Sequence, residues 1–192
     1  MGIFGSMGSL TTIGTMKTMI LAIIAFVLLA VYLTVTARKF GLPEMVSDTF
    51  YQLEDWMKNT GFVFSIVMMC SALAMLPVML EAGGAQPLAF LGCVGLMIVG
   101  VAPNYCDKDT YPVHKGGAMV AAIGCEGWAM SVNWWPTVLV ASMYAAYVAV
   151  AEAYKILDNV CYMSRGKSYF HKLYWAEVAG FVDVWLTYFL WA

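Results

Sequence analysis

The sequence predicts an all-α protein, a polytopic bundle of six transmembrane helices with a short amphipathic surface helix between the first two. Three observations carry that reading. Of the 192 residues, 62% are hydrophobic and 11% charged, with a mean hydropathy of +0.76; a soluble domain sits nearer half apolar and a quarter charged. The apolar residues fall in long uncharged runs, 20 residues over 18–37 and 22 over 59–80, and about 20 apolar residues cross roughly 30 Å of hydrocarbon. Basic residues collect between the runs. Arg38, Lys39, Lys58, Lys108, Lys115, Lys155, Arg165, Lys167 and Lys172 flank alternate connections, and only Lys17 lies on the other side.

Residues 1–15 are rich in Gly, Ser, Thr and Met and carry no charge, so a flexible tail is expected there, ahead of a single domain over 16–192. Helices are expected over residues 16–37, 60–80, 87–101, 113–133, 136–156 and 172–191. Pro87 and Pro136 suit first-turn positions. The first run is too long for the core of a signal peptide and is followed directly by Arg38 and Lys39, so it reads as a retained anchor. The positive-inside rule then puts both termini outside and the three basic connections in the cytoplasm. Glu44, Asp48, Glu54, Asp55, Asp107, Asp109 and Asp158 share those connections, but acidic residues count little in the rule. Trp134, Trp135, Trp185, Tyr188 and Trp191 read as an aromatic belt at one interface.

Small residues recur every fourth position as Ala141, Ala145, Ala149 and Ala153, and as Gly117, Ala121 and Cys125. Such stripes let helix backbones approach closely in lipid, and both read as packing seams. The five cysteines, Cys70, Cys93, Cys106, Cys125 and Cys161, form no C-x-x-C pair and are expected as free thiols.

Four groups of residues bear on function. The first connection, LPEMVSDTFYQLEDWMKN, places Val46, Phe50, Leu53 and Met57 on one helical face and Glu44, Asp48, Tyr51 and Asp55 on another, the pattern of an amphipathic interfacial helix. Its acidic polar face suits a protein contact, a cation or the basic pair Arg165 and Lys167. The connection APNYCDKDTYPVH brings Asp107 and Asp109 close to His114. With Asp48 these form a conceivable cytoplasmic site, since His serves as base or metal ligand; a polar loop with a capping histidine is the plainer reading.

Glu126 and Asp183 make the third group. Counted from the cytoplasmic ends of their helices, they lie roughly 18 and 16 Å deep at 1.5 Å per residue. No Lys or Arg shares that depth. A charge there costs about 2.5–3.5 kcal/mol, so at least one carboxyl is expected to hold a proton. They read as a proton or cation site, or as hydrogen-bonding groups between helices. Asp183 shares a face with Ala176, Gly180 and Thr187, which points it inward. Glu152 and Glu177, the fourth group, lie nearer the interface, within reach of Lys155 and Lys172.

Three stretches, LPEMVSDTFYQLE, GLMIVGVAP and VHKGGAM, resemble a group of small six-helix integral membrane proteins of gut Bacteroidetes and their phages. That resemblance implies a six-helix topology and a bacterial inner membrane, or the host membrane of a phage, but no reaction. A looser similarity is to rhodopsin-shaped intramembrane hydrolases such as alkaline ceramidases, which implies zinc held by several His and an Asp. This sequence departs from that pattern: it has only His114 and His171, and neither a His-x-x-x-His nor a His-x-x-x-Asp pair.

Other classes are excluded by their motifs. No lysine lies inside the last helix to bind retinal. No Gly-x-x-x-x-Gly-Lys-Ser/Thr loop, Gly-x-Ser-x-Gly elbow or C-x-x-C-H haem site occurs. With a net charge of −2 and no basic cluster, nucleic acid is not an expected partner, and no cofactor or metal is expected. The expected function is a non-enzymatic helix bundle binding membrane lipids, a protein partner or a second copy of itself. Two alternatives stand beside it: a carrier using Glu126 and Asp183, and a cytoplasmic-face metal-dependent lipid hydrolase using His114 and Asp48.

Overall fold

The protein is all-helical in a computed structural model that describes residues 7–161 and 170–191, and the side chains of 16–154 and 170–191. Among the described residues are α1 (Met7–Phe40), a 3₁₀ turn (Val46–Asp48), α2 (Thr49–Trp56), α3 (Phe62–Ala82), α4 (Gln86–Val101), α5 (Tyr111–Val132), α6 (Trp134–Cys161) and α7 (Lys172–Trp191). Helix α1 begins nine residues before the expected start at residue 16. Among the described residues, three helices are long and apolar enough to cross a membrane: Met16–Phe40, Phe62–Ala82 and Trp134–Tyr154. Helix α4 is apolar but has only 16 residues. Helices α5 and α7 are long enough, but carboxyl groups and, in α5, Gly and Ala lower their hydropathy. The clearly apolar spans are therefore fewer than the six expected.

The tightest contact is between α4 and α5, and glycine explains it. A Cβ on Gly92 would stand 2.8 Å from the Cys125 amide nitrogen, and one on Gly124 would stand 2.6 Å from the Gly92 Cα. The seam read at Gly117, Ala121 and Cys125 is thus met by Gly92 and Gly95 of α4. From this pair the bundle extends both ways: α3 packs on α4 and α1 on α3, while α7 packs on α5 and α6 lies against α7 and α5.

The turn from α3 to α4 passes through Gly83 and Gly84, both at positive φ. A side chain at Gly84 would meet Val132 and Ser131 of α5, so the turn sits directly on the end of α5. Trp128 completes that end. Its indole N–H donates to the Met79 and Gly83 carbonyls, at 3.1 and 2.9 Å, which the close of α3 leaves without helical partners.

Two sequence readings are corrected here. Ala141, Ala145, Ala149 and Ala153 are exposed on α6 and form no seam among the described residues. Four-residue spacing permits close approach but names no neighbour, and α7 meets a different face of α6, the one carrying Thr137 and Tyr144. Trp185 and Tyr188 are core residues rather than belt residues. The Trp185 ring stacks edge-on against Phe26 at 5.0 Å, and the Tyr188 hydroxyl donates to Thr18 at 3.4 Å. Trp134, Trp135 and Trp191 stay exposed.

The first connection folds under the bundle. Gly41, at φ 86°, ends α1 in the left-handed conformation that glycine adopts without strain. The acidic residue of the following turn then caps it, with the Asp48 carboxylate accepting the Met45 N–H at 2.9 Å. Val46, Thr49 and Leu53 are buried and Phe50 half-buried; Met57 stands exposed beyond the end of α2. The Phe50 ring covers Gly61, so close that a Cβ there would overlap it. We therefore expect Phe50→Asp to undock α2 and to speed protease cleavage within residues 44–57 at least several-fold. Equal cleavage of variant and parent chains would contradict this packing.

Candidate functional site

A partly open cavity of about 280 Å³ lies between α1, α3, α4, α5 and α7. Its walls are mainly aliphatic, aromatic and methionine side chains, among them Leu29, Phe64, Met68, Met75, Leu96 and Phe181. A few polar groups interrupt them: Ser47, Ser71, Glu126, Glu177 and the Trp185 indole. The Ser71 hydroxyl and the Trp185 N–H are buried without a hydrogen-bond partner. An apolar cavity of about 150 Å³ already holds a benzene-sized guest, so this one is large enough for a longer hydrocarbon.

Val46 and Ser47 belong to the cavity lining, and five elements hold them there. Glu177 of α7 accepts the Val46 N–H at 2.5 Å, and the Tyr174 N–H donates to the Glu44 carbonyl at 2.8 Å. Thr49 donates to the Val46 carbonyl, which leaves the Tyr32 hydroxyl of α1 to donate to Thr49 at 2.5 Å. From the α4–α5 connection, Tyr105 donates to Asp48 and Tyr51 donates to Asn104 at 2.8 Å. Glu54 accepts the Asn59 and Gly61 N–H groups at the start of α3. The fifth tie is from α5, where His114 meets Ser47 at 3.0 Å.

The state of His114 follows from its partners. Nδ1 lies 2.7 Å from the Ala102 carbonyl oxygen, which only accepts, so Nδ1 carries the hydrogen. Nε2 then presents a lone pair, and the Ser47 hydroxyl donates to it. Both residues are buried. The Tyr105 ring flanks the imidazole at 5.3 Å. Burial first, then the hydrogen bond to Asp48 and its charge, push the Tyr105 phenol above its ordinary range, so it remains a donor. The two backbone N–H groups bonded to Glu54 hold that carboxyl below its ordinary range. A depressed carboxylate stabilises the fold at neutral pH and loses that contribution as pH falls through its folded value. The α2–α3 turn therefore weakens in acid.

The structure brings together some of the residues singled out in the sequence and separates others. Asp107 and Asp109 are exposed, and Asp48 is bonded to Met45 and Tyr105, so the cluster with His114 does not assemble. Among the described residues no group of three His, Cys, Asp or Glu side chains could hold a metal ion. Arg165 and Lys167 lie outside the described residues; Asp48 and Tyr51 of the first connection meet Tyr105 and Asn104 of the α4–α5 connection, while Glu44 and Asp55 are exposed. Glu152 pairs with Lys172.

Glu126 lines the cavity, with Oε1 directly over Gly180 of α7. Asp183 sits beside it but outside the lining. It is fully buried, with Oδ2 accepting from Thr137 of α6 at 2.7 Å and Oδ1 without a partner. The two carboxyls are close enough to share a hydrogen bond. Ser47 escaped the sequence reading. Its only local signal is its place beside Asp48 in VSDTF, and its partner is 67 positions away. No protein-family model, curated protein or solved structure matches the chain, and the functional reading rests on this geometry.

Proposed function

We propose that this is a multi-pass integral membrane protein that binds an apolar molecule, such as a lipid acyl chain, in the cavity between α1, α3, α4, α5 and α7. The observation that carries the proposal is the cavity itself: mainly apolar walls with a few convergent polar groups, the composition expected of a small-molecule site. Six helices, α1 and α3 to α7, cross the bilayer in this reading, with α2 on the cytoplasmic side. The ends of α1, α5 and α7 that meet the first connection are also those nearest Arg38, Lys39, Lys115 and Lys172. Both termini are then outside. A reporter fused after residue 192 is expected to be active outside the cytoplasm, and activity confined to the cytoplasm would refute the topology.

Ligand binding is tested on the purified protein in detergent with a photoactivatable fatty acid. Crosslinks are expected on α3 and α7. Ser71→Phe and Met75→Trp fill the cavity from two positions, and each should lower affinity by roughly tenfold or more, about 1.4 kcal/mol. If either variant keeps its folding transition and binds as the parent does, the ligand lies elsewhere.

A further inference from the structure

We infer that Ser47 and His114 form a nucleophile–base pair that cleaves acyl esters whose chain occupies the cavity. The inference rests on the proposed binding of an acyl chain. It adds a reaction and a substrate class: an oxyester of a single-chain lipid.

Three observations point there. First, the Ser47 hydroxyl lies 3.0 Å from His114 Nε2, within the reach that a serine nucleophile and its base require. Second, the Ala102 carbonyl fixes the other ring nitrogen as the donor at 2.7 Å. The base is thereby held in the tautomer whose free lone pair faces serine, the part an acidic third member plays in other serine hydrolases. Third, Ser47 belongs to the cavity lining, whereas a hydrogen bond that only tied the first connection to α5 would not need to face an apolar chamber. Asp48, the neighbour of Ser47 in the chain, orients the turn through Met45 and Tyr105.

The reaction balances without any further group. Ser47 Oγ attacks the ester carbonyl carbon while its proton passes to His114 Nε2. The bond from that carbon to the alcohol oxygen breaks, and His114 returns the proton to the leaving alkoxide. Water then attacks the acyl-serine, giving a proton to Nε2. The carbon–Oγ bond breaks and Oγ regains the proton. One ester and one water yield one carboxylic acid and one alcohol.

The test uses the full-length protein in detergent with hexadecyl and butyl fluorophosphonates, which phosphonylate an activated serine with loss of fluoride. Mass spectrometry of the folded parent chain is expected to find the hexadecyl adduct on Ser47 and to find none after heat denaturation. His114→Gln should slow labelling by roughly 10²- to 10⁴-fold, the usual contribution of a general base. Ser47→Ala should abolish it while keeping the parent's unfolding transition in detergent, which shows that the variant is folded. No adduct on Ser47 of the parent chain, or equal labelling rates in His114→Gln, overturns the proposal whether or not the variants fold. Labelling of Ser47 at equal rates by both chain lengths instead overturns the acyl-binding reading and with it the proposed substrate. The two failures are therefore distinguishable.

Discussion

Gly124→Leu is expected to abolish the folded bundle, or to lower its unfolding midpoint in detergent more than any other single change on α5. The site has no slack. A Cβ there would lie 2.6 Å from the Gly92 Cα and 2.8 Å from the Leu88 carbonyl oxygen, and both are backbone atoms of α4. A side-chain neighbour could rotate away; a helix axis has to move as a unit. Overpacking a close-packed core costs about 1–3 kcal/mol where side chains can yield, and more where they cannot. Separating α4 from α5 would also part Gly95 from Gly117 and Ala121, so the loss spreads along the seam. In the proposed bilayer setting no hydrophobic force acts between helices, and that close packing is the main source of association. Gly116→Leu is the control. It lies on the same helix, and a Cβ there meets nothing within 4 Å, so its midpoint should stay within about 0.5 kcal/mol of the parent. Equal effects from the two substitutions would mean that α4 and α5 are not held by this contact.

The same residues show how much was legible in the sequence. Periodicity and rise are local properties, so the helical class and the similar depths of Glu126 and Asp183 could be read from spacing alone. The seam on α5 was legible for the same reason. Its partner was not: Gly92 and Gly95 are as small as their neighbours across the interface, but nothing in one helix names the other. The alanine stripe of α6 is the converse case, with the right spacing and no helix among the described residues against it. Trp185 and Tyr188 misled because an aromatic near a helix end suits an interface as well as a core, and α1 decided between them. His114 was visible as a chemically able residue. Its partner depended on a turn that folds back from the first connection, with Ser47 aimed at α5 only because α7, α1 and the α4–α5 connection pin the turn from other sides.

Asp183→Leu is the second substitution expected to cost most, and Asp183→Asn is expected to cost little. The Asp183 side chain is fully buried on α7 and accepts the Thr137 hydroxyl of α6 at 2.7 Å. Asparagine keeps an acceptor oxygen in that place. Leucine does not, and it leaves the Thr137 hydroxyl and the neighbouring Glu126 facing a methyl group. A polar group buried without its partner costs about 1–3 kcal/mol, and in the proposed bilayer setting no water is at hand to repair the loss. Removing both partners is cheaper than removing one. Asp183→Leu combined with Thr137→Val should therefore be more stable than Asp183→Leu alone, with a coupling of about 0.5–3 kcal/mol in the cycle. Unfolding of the four chains in detergent measures it. Additive effects would show that the Thr137 contact does not hold α6 to α7. If Asp183→Leu were as stable as Asp183→Asn, the buried carboxyl would contribute nothing to the bundle, and its place beside Glu126 would need a different explanation.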